Sequence, residues 1–199
     1  MRSLGLSVDP LRTRQLLDYI DELARWNVAY NLTAVRDPRD MVSRHLLDSL
    51  AVASAVNGAT VVDVGSGAGL PGVPLAVVRP ELSFVLLDGS GKRVHFLRAV
   101  CRRLGLANVE VALSRAEAWQ PALAGPVCVV SRGLARLASF LVVSAGWAGP
   151  GTRWLAMKGK LDRKELAEVP SAFVVTEVRR LEVPGLAEAR HLVIVERRR

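Results

Sequence analysis

The chain has 199 residues, half of them hydrophobic and 23% charged, a balance that suits one globular domain and excludes an intrinsically disordered segment. A formal net charge of +8 and a pI near 10.5 favour a polyanionic partner, carried by 23 Arg against four Lys. The longest apolar stretches are too short and punctuated to span a bilayer, and the first nine residues lack a secretory apolar segment, so no membrane association and a cytoplasmic protein are expected.

Residues 10–30 place Leu16, Leu17, Ile20, Leu23, Ala24 and Asn27 at helical spacing, with Asp9 as cap and Pro10 in the first turn. A loop over 31–40 and a second helix over 40–56 are predicted next. From residue 58 onward strand and helix patterns alternate. Strands are predicted at 60–64, 83–88, 108–112, 127–131 and 152–157, with helices at 71–79, 91–105 and 135–146. A short polar helix at 162–168 precedes two apolar-rich strands, 172–183 and 190–196, which suggest an antiparallel hairpin at one end of the sheet. Alternation of this kind predicts a doubly wound, mainly parallel sheet. We expect residues 1–57 to form a helical extension packed on a core of 58–199.

The most informative segment is Asp63-Val-Gly-Ser-Gly-Ala-Gly-Leu-Pro-Gly72, directly after the apolar run 60–62. A strand ending in closely spaced glycines, Gly65, Gly67 and Gly69, suits a turn into a helix around a ligand. Gly67-x-Gly69-x-x-Gly72 matches the dinucleotide fingerprint literally, and Asp88 lies near the distance of a ribose-binding acid. Asp63 argues against a dinucleotide. At the strand's carboxyl end it is expected to face the cofactor, where it would repel a pyrophosphate but attract the sulfonium and ammonium of S-adenosylmethionine. Asp88 would accept from ribose hydroxyls or cap the helix starting near 91. Adenine could be met by Glu117 or by the backbone of Ala116.

The segment 92–103 holds five fixed cations, one His and no acid. Helical geometry puts Lys92, His95, Arg98, Arg102 and Arg103 on one face, either an RNA contact or a solvated surface. Arg93 falls on the apolar side near the cofactor edge, where a cation needs a partner. His45 has no His or Cys at ligand spacing, so no metal site is expected. Ser131, His45 and Asp48 do not form a hydrolase triad. Cys101 and Cys128 lie among apolar neighbours as small buried hydrophobes, and the four Trp are expected in the core.

Several further motifs accompany the glycine loop. They are Tyr30-Asn-Leu-Thr-Ala-Val-Arg-Asp37, Arg44-His-Leu-Leu-Asp-Ser-Leu50, Leu87-Asp-Gly-Ser-Gly-Lys-Arg-Val-His-Phe-Leu97, Ser114-Arg-Ala-Glu117, Ser131-Arg132 and Met157-Lys-Gly-Lys160. With Asp63–Pro74 they resemble the GidB/RsmG family of bacterial methyltransferases, in the family's order and over most of the chain. The resemblance implies a class I, Rossmann-like fold, S-adenosylmethionine as cofactor, and methylation of N7 of a guanine in 16S rRNA of the small ribosomal subunit. It implies cofactor contacts at Gly65, Leu70, Ala116, Glu117 and Arg132, beside Asp63, Gly67 and Asp88 from the loop reading. Arg132 and Asn31 are the candidates for holding the base. Arg44, His45, Lys92, Arg93, Arg98, Arg102, Arg103 and Lys158 are the candidate RNA contacts. One departure is Gly133, where the family usually has Ala. Guanine N7 carries a free lone pair, so no general base is required, and nothing demands more than a monomer.

Overall fold

A computed structural model describes residues 4–121, 123, 125–133 and 136–198. Helix α1 (Pro10–Tyr30) starts where Asp9 accepts from the Arg12 backbone N–H at 2.8 Å, with Pro10 in its first turn. It ends at Asn31 in the left-handed region (φ 49°). Its buried residues Leu16, Tyr19, Ile20, Leu23 and Asn27 follow the 3.6-residue period.

The predicted second helix is broken. A short α2 (Pro38–Met41) runs into a π-helical turn (Val42–Leu47), then α3 (Asp48–Leu50) and a 3-10 turn (Ala53–Ala55). The helix also starts earlier than expected, because Asp37 caps it ahead of Pro38. A π turn adds a residue to the helical repeat and is found disproportionately at functional sites. Here it carries His45 and leads into Asp48, both buried polar side chains.

The sheet comprises β1 (Thr60–Val64), β2 (Ser83–Asp88), β3 (Val109–Leu113), β4 (Val127–Arg132), β5 (Arg153–Lys158), β6 (Phe173–Leu181) and β7 (Arg190–Arg197). Their order is β3-β2-β1-β4-β5-β7-β6. The first five strands are parallel, while β7 pairs antiparallel with both β5 and β6. The hairpin is therefore present, with β7 inserted between β5 and β6. Helices α4 (Gly72–Val78), α5 (Gly91–Leu104), α6 (Leu137–Ser144) and α7 (Arg163–Ala167) complete the fold. The predicted start of α6 at 135 lies outside the described residues.

Strand alternation divides the core. Val61, Cys128, Val130 and Leu155 face the side of α4 and the 53–56 segment, whereas Val62, Val64, Val129 and Trp154 face α6. Helix α1 packs over α4 and α5 through Leu16, Tyr19 and Leu23 against Val73, Phe96, Leu97 and Val100. Tyr19 Oη donates to the Ala68 carbonyl at 2.7 Å, tying α1 to the glycine loop. Trp154 and Trp147 are buried as expected. Trp26 instead lies on the α1–α5 seam, edge-on to Tyr30, His95 and Phe96. Among the described residues no helix is long and apolar enough to cross a membrane.

Candidate active site

Two clefts open at the carboxyl edge of the parallel strands, where open α/β sheets bind ligands. The first, of about 520 Å³, is lined by Val64 and Gly65 after β1, Asp88 and Arg93 around β2, Ala116 and Glu117 after β3, and Phe140 of α6. Gly65, Gly67 and Gly69 all have positive φ, and the turn is held by Gly65 and Ser66 N–H groups donating to the Leu87 carbonyl at 2.8 and 3.0 Å. The two inner glycines serve different ends. A Cβ on Gly69 would stand 2.6 Å from Val73 Cγ2, so packing requires glycine there, whereas a Cβ on Gly67 would meet only the Gly65 carbonyl at 3.8 Å.

Asp88 is almost fully buried yet lines the cleft. Its Oδ2 accepts from the Gly67 N–H at 2.9 Å and its Oδ1 from the Ser90 N–H at 2.8 Å. Arg93 Nη1 approaches Oδ2 at 3.5 Å. This carboxylate is pinned by two backbone donors and retains lone pairs for a diol at the cleft wall. Gly67 acts through that bond and is not itself a wall residue. Ala116 and Glu117 form a 3-10 turn (Ala116–Ala118) on the opposite lip.

Asp63 corrects the charge argument made from the sequence. It shares strand parity with Val61, so its side chain lies on the α4 side, away from the first cleft. It is fully buried, and Oδ2 accepts from the Gly72 N–H at 2.9 Å, clamping β1 to the start of α4. Burial pushes this carboxyl up to about 7, outweighing the lowering effect of the Gly72 bond. Asp63 does not line the first cleft, and its Oδ1 is buried without a hydrogen-bond partner. Leu70 is likewise a core side chain against α1, 4% exposed, and does not line the cleft.

The second cleft, about 340 Å³, gathers Arg44, His45 and Asp48 from the broken helix, Arg132 and Gly133 after β4, Met157 and Lys158 at the end of β5, and Arg190 and His191 at the start of β7. Arg132 is absent from the first cleft. It shares parity with Cys128 and Val130, and its Nη1 donates to Asp48 Oδ2 at 2.9 Å and to the Arg44 carbonyl at 3.1 Å. Arg190 Nε lies 3.2 Å from Asp48 Oδ1. Lys158 Nζ pairs with Glu165 Oε1 at 2.7 Å, and Arg44 Nη2 with Glu188 Oε1 at 2.6 Å.

His45 Nε2 is 2.8 Å from Thr33 Oγ1, while its Nδ1 is buried without a hydrogen-bond partner. Burial, reinforced by Arg132, pushes its pKa down to about 4, so the ring is neutral at neutral pH. His191 Nδ1 donates to the Gly159 carbonyl at 2.7 Å.

Other expected site residues are not brought here. Asn31 lines neither cleft. It caps α1, and its Oδ1 accepts from Arg36 Nη2 at 2.8 Å, fixing the loop that carries Thr33 and Val35. Lys92, Arg98, Arg102 and Arg103 of α5 are exposed as expected but line neither cleft, and their contacts diverge. Lys92 sits 5.0 Å over the Tyr30 ring, Arg103 turns to Glu22 at 3.9 Å, and Arg98 Nη2 donates to the Val111 carbonyl at 3.3 Å. Arg98 and Arg102 border a separate shallow groove. Among the described residues no group of three His, Cys, Asp or Glu could hold a metal ion. Both cysteines are buried, which raises their thiol pKa values to about 12 for Cys101 and about 11 for Cys128.

A family model described as GidB, rRNA small subunit methyltransferase G, matches residues 12–193. The chain belongs to the GidB family. Curated relatives in that family are similar almost end to end. The ribosomal RNA small subunit methyltransferase G of Escherichia fergusonii is 44% identical over 198 residues, covering 98% of this chain and 94% of its own. That of Pseudomonas aeruginosa is 49% identical over 196 residues, covering 98% and 91%. A solved SAM-dependent methyltransferase from Aquifex aeolicus shares the fold, with a TM-score of 0.58 at 20% identity over 80% of this chain and 93% of that one. As a GidB member the chain is an enzyme, an S-adenosylmethionine-dependent methyltransferase of small-subunit ribosomal RNA.

Proposed function

We propose that the chain holds S-adenosylmethionine in the first cleft and methylates N7 of a guanine in 16S rRNA presented at the second. The first cleft suits a nucleoside-bearing cofactor on two grounds. Its volume lies in the ordinary ligand range of about 300–1,000 Å³, and Asp88 offers a pinned carboxylate beside the apolar walls Val64 and Phe140. Bound there, the cofactor supplies an electrophilic methyl group on a sulfonium. Every other contribution comes from the protein: Asp88 and the glycine turn would fix the cofactor, and the second cleft would orient the acceptor and exclude water.

The observation that carries the N7 reading is that neither buried titratable side chain of the second cleft, Asp48 or His45, is set up as a proton acceptor, while His191 is held at the rim through Nδ1. Asp48 is engaged by two guanidinium groups, and His45 is too weak a base at about 4 to take a proton at neutral pH. A ring N–H or exocyclic amine would require one, whereas guanine N7 presents a lone pair directly. Methylation leaves a positive charge on the base. Asp48, shared with Arg190, offsets part of the positive charge that Arg132 brings beside it.

The test is methylation of small ribosomal subunits lacking this modification, followed by reduction and strand cleavage selective for N7-methylguanine. Cleavage at one guanine supports the reading, and label on an exocyclic amine overturns it. The single-turnover rate at saturation should stay within about threefold from pH 6.5 to 8.5, and a log-linear rise of slope near one would demand a base. Thermal stabilisation by S-adenosylmethionine but not by NAD should accompany it.

A further inference from the structure

The cations that gather at the second cleft are not equivalent. Arg44 and Lys158 each have their own acid, Glu188 and Glu165. Arg132 and Arg190 share one carboxylate, Asp48, which bonds Nη1 of the first at 2.9 Å and lies 3.2 Å from Nε of the second. The three side chains come from three distant places: α3, the end of β4 and the start of β7. Asp48 is 3% exposed, whereas the arginines keep 21% and 23% of their side chains open. One buried anion therefore holds two accessible guanidinium groups, and the trio carries a net positive charge. Without the carboxylate, two like charges on strands separated by β5 would repel each other, with only the Arg44 carbonyl left to hold Arg132.

We infer that Asp48 is a positioning residue for methyl transfer, bridging Arg132 and Arg190 so that the pair binds the acceptor nucleotide as one two-pronged cation. This rests on the reading of the second cleft as the acceptor site. Arg190 thereby joins Arg132 as an acceptor-binding residue. Neither prong can be replaced by a lysine without loss, because an ammonium offers one point of attachment where the guanidinium spans carboxylate and ligand together.

The experiment is a double-mutant cycle between Asp48→Asn and Arg132→Lys, read as single-turnover methylation of small subunits at saturating cofactor and subunit. The amide preserves volume but turns N–H donors toward a guanidinium. Each single change should lower the rate about tenfold or more, since misplacement near 1 Å can cost about a hundredfold. Adding Arg132→Lys to the Asp48→Asn background should cost less than about threefold further, because the lost register is already lost. Stabilisation by S-adenosylmethionine should be unchanged in all three, which separates the effect from the cofactor cleft and from global unfolding. Losses that multiply, or a full rate in Asp48→Asn, overturn the bridge. A full rate in Arg132→Lys overturns the acceptor-site reading and the bridge with it. If Asp48→Asn does not melt cooperatively, Arg190→Lys replaces it in the same cycle. It keeps the charge on a more open wall, and an undiminished rate there overturns the second prong.

Discussion

Replacing Asp63 by Asn isolates one of two buried titrations that oppose each other. Burial pushes the Asp63 carboxyl from its ordinary 3.8 up to about 7, while burial and Arg132 push His45 from 6.5 down to about 4. Between those limits the folded chain keeps a proton on Asp63 that the unfolded chain has released. It also lacks one on His45 that the unfolded chain has bound. Stability rises with pH where the unfolded state holds more protons and falls where the folded state does. Asp63 therefore contributes a loss of stability as pH climbs from 3.8 through about 7. His45 contributes stability that is complete above 6.5 and lost as pH drops toward about 4. At about 1.36 kcal/mol per pH unit these spans are worth about 4 and about 3 kcal/mol, so in the wild-type chain they nearly cancel. In Asp63→Asn the amide can still accept from the Gly72 N–H but cannot titrate. Its unfolding free energy, measured by urea denaturation and taken relative to wild type at each pH, should grow by about 4 kcal/mol between pH 4 and 7.5. The difference removes every other titrating group from the comparison. A difference constant within about 1 kcal/mol across that range would show that Asp63 is not a proton-holding buried acid.

Three further outcomes follow from the same geometry. Gly67→Asp sets a second carboxylate beside Asp88 in sterically open space, so stabilisation by S-adenosylmethionine should vanish while the unliganded chain still melts cooperatively; affinity kept within about threefold would refute the cofactor turn. Gly72→Ala should be far more damaging to the fold, by about 2 kcal/mol or more in urea denaturation, because its Cβ would stand 2.6 Å from Asp63 Oδ2. Charge reversal at Arg98 and Arg102 should flatten the salt dependence of RNA binding by about one to two units of slope if that groove meets phosphates, and leave it unchanged if it is only solvated.

Much of the architecture was readable in the chain because buried strands and amphipathic helices leave different periods. Strands β1 and β2 coincide with their predicted spans, and β3, β4 and β5 shift by about one residue. The second helix was not readable. It was predicted as one continuous helix over 40–56, but a π turn over Val42–Leu47 interrupts it, and His45 and Asp48 lie in the interior. Periodicity reports burial by hydrophobes and is silent about buried polar groups whose partners, Arg132 and Arg190, lie elsewhere in the sequence.

The site divides along the same line. Gly65, Asp88, Ala116 and Glu117 each end a strand or come within four residues after one, so the strand pattern puts them at one sheet edge, and there the first cleft is found. Arg190 has no such signal: it begins the last strand, and only the insertion of β7 beside β5, with Lys158 opposite His191, carries it to Arg132 and Asp48. Asp63 shows the opposite failure. Its parity with Val61 was visible in the sequence, but which sheet face bears the cofactor is decided by where α1, α4 and α6 pack. An acid at a strand's end therefore points toward the ligand or beneath it according to helices that lie well outside its motif. Here α4 lies beneath, and Asp63 accepts from the Gly72 N–H at the start of that helix.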